Sequence, residues 1–140
     1  ETTPVAFSAY VGSAQNATTG ADRLVNFNTE LYDLGSNFDT ATGKFTAPKD
    51  GIYSFSFRVA ATGTTTNRIY ASFHKNGSEW ARGLDYPAVS GVPSSSLAVD
   101  MSLSASDYVQ VYVRAVTTTL AIATGASQST FCGHYVCPAA

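Results

Sequence analysis

Apolar side chains fall on every second position in several stretches of this chain. In Ile52-Tyr53-Ser54-Phe55-Ser56-Phe57-Arg58-Val59 the rings of Tyr53, Phe55 and Phe57 share one face and the two serines the other. Leu97, Val99, Met101 and Leu103 alternate with Ala98, Asp100 and Ser102, and Val109, Val111 and Val113 with Tyr108, Gln110 and Tyr112. Phe131, Gly133 and Tyr135 alternate with Cys132, His134 and Val136. Successive side chains of a strand point to opposite faces, so a period of two predicts strands buried on at least one side. No stretch sustains the three-and-four spacing of an amphipathic helix. Turn-rich clusters separate the runs, among them Asp33 to Asn37, Thr40 to Gly43, Ser90 to Ser96 and Ser104 to Asp107. Asn76-Gly77 is the sharpest, because a two-residue hairpin turn of the primed type needs positive φ at both central positions. Gly133, inside a strand, predicts close approach by a ring or another backbone. Many short strands with no helix between them make an all-β sandwich or barrel, read as a single domain over residues 1–140.

Composition sharpens this. Charged residues are 13% of the chain, about half the usual share, while aromatics reach 12%. The net charge is −2 and the basic residues are scattered, so nucleic acid is not an expected partner. No apolar run approaches the ~18 residues of a membrane span, so no membrane insertion is expected.

Little in the chain speaks for catalysis. Only two histidines occur, His74 and His134, each on an expected strand, and no G-x-S-x-G elbow is present. The aspartates are dispersed near turns, where they commonly cap their own backbone. No catalytic residue is assigned and the protein is read as a non-enzyme. Cys132 and Cys137 lie an odd number of residues apart, which turns them to opposite faces of a strand. With only His134 nearby they fall short of a tetrahedral zinc set. For ligand contact the richest stretch is Trp80 to Pro87. Trp80, Arg82, Asp85 and Tyr86 are residue types that anchor interfaces; the competing reading has Trp80 plugging the sandwich.

At Thr42-Gly43-Lys44-Phe45-Thr46-Ala47-Pro48, leading into Gly51-Ile52-Tyr53-Ser54-Phe55-Ser56, the chain resembles the C1q globular-head family. Lys75-Asn76-Gly77, the Leu97 to Val113 segment with Ser106-Asp107, and Ser129-Thr130-Phe131-Cys132-Gly133 resemble that family's later motifs in the same order. Ala47 departs from a frequent cysteine and Ser106 from the usual glycine. The resemblance implies a ten-stranded jelly roll, similar to tumour necrosis factor, assembled as a homotrimer. It further implies an extracellular or cell- or virion-surface recognition module, the head of a longer stalked or fibrous protein, that binds a glycan or a protein surface. The alternative is a structural trimerisation or capping domain on a microbial or phage surface fibre. If the valines of the 108–113 strand face the core, Tyr108, Gln110 and Tyr112 face outward. Outward tyrosines fit a threefold interface, where rings are buried and hydroxyls stay bonded; an aromatic from Tyr53 or Tyr135 is expected to help. No cofactor is expected. Members of the resembled family sometimes hold calcium near the threefold axis, and Asp100 and Asp107 are its candidate ligands here.

Overall fold

The computed structural model describes residues 3–62, 67–83 and 91–140. The chain passes through β1 (Ala6–Tyr10), β2 (Asn16–Ala17), β3 (Arg23–Leu24), β4 (Thr29–Leu34), β5 (Phe38–Asp39) and β6 (Lys44–Thr46). It continues through β7 (Gly51–Ala60), β8 (Ile69–Lys75), β9 (Ser78–Arg82), β10 (Ser94–Leu103), β11 (Tyr108–Ala115), β12 (Leu120–Ala121) and β13 (Thr130–Cys137). No helix occurs among the described residues. One sheet is ordered β10-β7-β13-β1-β4 and the other β5-β6-β11-β8-β9, with β3 also on β11 and a small separate β2–β12 pair. The two main paths supply the ten expected strands. All pairs are antiparallel, and neighbours distant in sequence, such as β1 beside β13, give the crossing connections of a jelly roll.

The alternating faces land as the sequence predicts. Tyr53, Phe55 and Phe57 of β7 meet Val109, Val111 and Val113 of β11 in one core. Phe7 sits at its centre, stacked on Phe38 at 4.8 Å and Phe45 at 5.0 Å and edge-on to Phe131 at 4.8 Å. Each fully buried ring contributes about 1.5–3 kcal/mol of burial, so these rings dominate the stability. Gly133 lies directly beneath the Phe55 ring, with Phe7 next to it; a Cβ there would overlap Phe55. The missing side chain is what lets the two rings approach β13 this closely.

At the hairpin between β8 and β9, Asn76 and Gly77 take φ of 53° and 87°. Asn76 does more than turn the chain. Its Nδ2 donates to Asp107 Oδ1 at 2.9 Å and its Oδ1 accepts from the Tyr108 N–H at 3.0 Å, tying two turns together. One expectation fails: Ser94, Ser95 and Ser96, placed in a turn cluster by their composition, belong to β10. Ser95 is buried, and its Oγ accepts from the Ala71 N–H at 3.0 Å, so a serine holds β10 to β8 of the opposite sheet.

Candidate functional site

The outward face of the β5-β6-β11-β8-β9 sheet carries most of the polar chemistry. On β8, Phe73 faces the core while Ser72 and His74 face outward, and β11 places Gln110 beside His74 and Tyr112 beside Ser72. On β9, Ala81 pairs with Phe73 but Glu79 pairs with His74, leaving Trp80 as the extra residue of a bulge. Regular alternation would put Glu79 and Arg82 on opposite faces, because they are an odd number of residues apart. The bulge shifts the phase, so both stand on the His74 side. Arg82 Nη2 then donates to Glu79 Oε1 at 3.0 Å and Oε2 at 3.3 Å. Asp22, from the segment before β3, completes the group. Its Oδ1 accepts from Arg114 Nε at 3.0 Å and its Oδ2 stands 3.8 Å from His74 Nε2.

His74 is 8% exposed and stacks on Tyr112 with centroids 3.9 Å apart. Neither of its buried ring nitrogens makes a hydrogen bond of ordinary geometry. Such groups commonly cost about 1–3 kcal/mol each. Burial lowers the imidazole's pKa below its ordinary 6.5, with Asp22, Glu79 and the Gly77 backbone pulling the other way.

Trp80 is 45% exposed, so it does not plug the sandwich. Beside it, the Arg82 guanidinium lies over the Tyr70 ring at 4.5 Å. Trp80 and Arg82 thus share the exposed edge strand β9, while Asp85 and Tyr86 lie outside the described residues.

The five residues expected at a threefold axis do not form one surface. Tyr53 is 0% exposed and donates its hydroxyl to the Lys49 carbonyl at 2.7 Å, so the protomer itself encloses it. Alternation had already put it on the core face with Phe55. Tyr135 also points inward, edge-on to Tyr53 at 5.3 Å and capped by Lys49 Nζ at 4.0 Å. Tyr108, Gln110 and Tyr112 do face outward, but on the other sheet, and each finds a partner within the protomer. Lys44 Nζ sits 4.0 Å over the Tyr108 ring, Gln110 is buried with its Nε2 donating to the Thr42 carbonyl, and Tyr112 covers His74. Their outward orientation therefore needs no second protomer to explain it.

The β10-β7-β13-β1-β4 sheet offers a different outward face. One row across it reads Ala98, Ser56, Cys132, Ser8, Tyr32, and the next Asp100, Ser54, His134, Ala6, Leu34. Its side chains are small in the middle, with exposed Leu31, Tyr32 and Leu34 along β4.

A family model described as the C1q domain matches residues 6–136. The chain belongs to the C1q domain family. Its fold is similar to the globular domain of zebrafish complement 1qA, with a TM-score of 0.74 at 19% identity over 97% of this chain and 99% of that one. It is also similar to murine APRIL (TM-score 0.72, 11% identity, 95% and 99% covered) and to Eiger TNF from S. frugiperda (0.65, 15%, 99% and 96%). C1q and tumour necrosis factor-like domains are trimeric heads that bind ligands or receptors.

Within this C1q domain the two candidate calcium ligands stand on different elements. Asp100 is on the outward face of β10, level with Ser54. Asp107 sits in the β10–β11 turn, accepting from Asn76, from the Ser104 N–H at 2.9 Å, and facing Lys75 Nζ at 3.7 Å. The Asn76 and Ser104 hydrogen bonds hold its carboxyl below the ordinary 3.8; it acts as a turn cap. Cys132 and Cys137 are both free thiols, with Cys132 Sγ 3.0 Å from Ser56 Oγ. Among the described residues no helix is long and apolar enough to cross a membrane.

Proposed function

We propose that this C1q domain works outside the cell, or on a cell or virion surface, as a trimeric recognition head whose β9 rim binds a glycan or protein surface. The observation that carries this reading is that Trp80 and Arg82, two residues apart on the edge strand β9, are both exposed. An exposed indole and a guanidinium on one strand are residue types that commonly anchor binding interfaces. Asp85 and Tyr86 follow Arg82 closely in sequence. Three such rims on one particle gain avidity without any new contact.

For the threefold contact, the small-residue face around Ser56, Cys132 and Ser8 is the surface we propose, with Tyr32 and Leu34 of β4 packing at its edge. Small side chains let another protomer approach closely, and the exposed apolar residues supply burial. A second reading keeps Tyr108, Gln110 and Tyr112 at the contact, favoured by the partial exposure of the two tyrosine rings.

A screen of glycans and protein surfaces against the intact protein tests the recognition role. Trp80→Ala and Arg82→Ala should each weaken the binding found, with the melting temperature unchanged. Unaltered affinity in both variants would count against the rim. Absence of any ligand would favour the structural capping role on a fibre.

A further inference from the structure

We infer that Asp22, His74 and Glu79 form a binding site for a transition-metal dication, zinc above all, on the outward face of β8 and β9. One ligand atom from each lies within 4.8 Å of the other two. Zinc holds nitrogen and oxygen ligands at about 2.0–2.2 Å, which sets tetrahedral ligand atoms about 3.4 Å apart. The closure required is therefore about an ångström or slightly more, and exposed Glu79 is free to supply most of it.

The second observation is His74 itself. Its side chain is nine-tenths buried and faces this cluster, and neither nitrogen makes a hydrogen bond of ordinary geometry, although the ring lies near the Gly77 backbone. A buried imidazole in a folded protein normally has a partner. A metal is the partner that its lone pair and the two carboxylates would share. The carboxylates are already oriented for this. Arg114 takes Asp22 Oδ1, leaving Oδ2 turned toward His74, and Arg82 holds Glu79 from the other side. The Arg114 contact fixes the direction of Asp22 while leaving Oδ2 free to bind, whereas Arg82 touches both oxygens of Glu79. Glu79 has only to loosen one of its two contacts with Arg82.

The donor set also selects the ion. One imidazole with two carboxylates suits zinc, cobalt, nickel or copper, whereas calcium and magnesium want oxygen alone and more of it. Three protein ligands leave a coordination position for water. The bulge at Trp80 is what makes the site, since a regular β9 would turn Glu79 away from His74. The inference stands on these residues alone and is independent of the glycan or protein ligand.

The test is a zinc titration of chelator-treated protein, followed by calorimetry and thermal unfolding, in a Cys132→Ser/Cys137→Ser background that removes thiolate ligands. The expected result is a single zinc per chain, a raised melting temperature, and no shift with calcium or magnesium. Glu79→Gln and Asp22→Asn should each lower zinc affinity at least about tenfold. Both residues are solvent-accessible, and their metal-free circular dichroism serves as the folding control. Nitrogen-15 spectra of the imidazole should show one His74 nitrogen shifting on zinc addition. No stoichiometric binding, or zinc affinity unchanged in either carboxylate variant, overturns the site.

Discussion

Adding one methyl group at Gly133 is a sharp test of the core, because opposing effects predict opposite signs. In an ordinary strand position Gly→Ala stabilises by about 0.4–1 kcal/mol through the unfolded chain. Gly133 shows no positive φ that would oppose alanine. The obstacle is steric: the new Cβ would overlap Phe55 Cδ1 and stand 2.8 Å from Phe55 Cε1 and 3.0 Å from Phe7 Cε1. Phe55 has nowhere to retreat. Its centroid is 5.4 Å from Phe45, 6.2 Å from Tyr53, 6.2 Å from Phe73 and 6.1 Å from Phe131. Overpacking of this kind costs about 1–3 kcal/mol, which outweighs the entropic gain. We expect Gly133→Ala to destabilise by about 1–2 kcal/mol, or about 3–7 °C in melting temperature for a domain of this size. Thermal and urea unfolding would measure it. Phe55→Leu, which shortens the obstructing ring, should relieve part of the loss, giving a coupling of about 0.5–1 kcal/mol in the double-mutant cycle. A Gly133→Ala protein as stable as the parent, or more so, would refute the reasoning.

Three further outcomes follow from single contacts. Ser95→Ala strands the buried Ala71 N–H and should cost about 1–3 kcal/mol by denaturant unfolding, whereas a neutral change would mean that the hydroxyl is dispensable. Asp107 has a folded-state pKa below its unfolded value. Its contribution is therefore present above about pH 4 and lost as pH falls through the folded value. Asp107→Asn should flatten the acid limb of the stability curve, and parallel limbs would contradict the turn-cap role. Asn76→Ala removes the positive-φ residue and both of its side-chain bonds; we expect a loss of about 1–3 kcal/mol, with Asn76→Asp milder, and hydrogen exchange should show the β8–β9 hairpin loosened first.

Residues whose environment follows from alternation or turn chemistry were readable in advance. The valines of β11, the rings of β7, the Asn76-Gly77 turn and the crowding at Gly133 all depend on neighbours that a period of two already places. The motifs around Gly43-Lys44-Phe45 and Ser129 to Gly133 added the jelly roll. What escaped depends on a change of phase or on a distant segment. Glu79 and Arg82 converge on His74 only because Trp80 is bulged, and a bulge leaves no mark in the alternation of so short a strand. Asp22 arrives from a stretch with no periodic pattern. The tyrosines of β11 looked exposed in sequence, but Lys44 and His74 cover them from elements far away in the chain. Tyr53 could have been read correctly, since it shares its face with Phe55 and Phe57. Serines 94–96 look like a turn by composition alone, but they pair with Ala60, Val59 and Arg58 of β7 as part of β10.

The central claim, a C1q head assembled threefold through the β10-β7-β13-β1-β4 face, is tested most directly by the mass of the particle in solution. Three copies of the 14.7 kDa chain give about 44 kDa. Light scattering coupled to size exclusion should report that mass for the parent protein. Ser56→Arg sets a cation at the centre of the small-residue face, where desolvation is unfavourable, and should give folded monomer. Tyr112→Glu, on the opposite sheet, should keep the trimer mass. A parent protein at monomer mass would contradict the assembly. A trimeric Ser56→Arg together with a monomeric, folded Tyr112→Glu would move the contact to the other sheet.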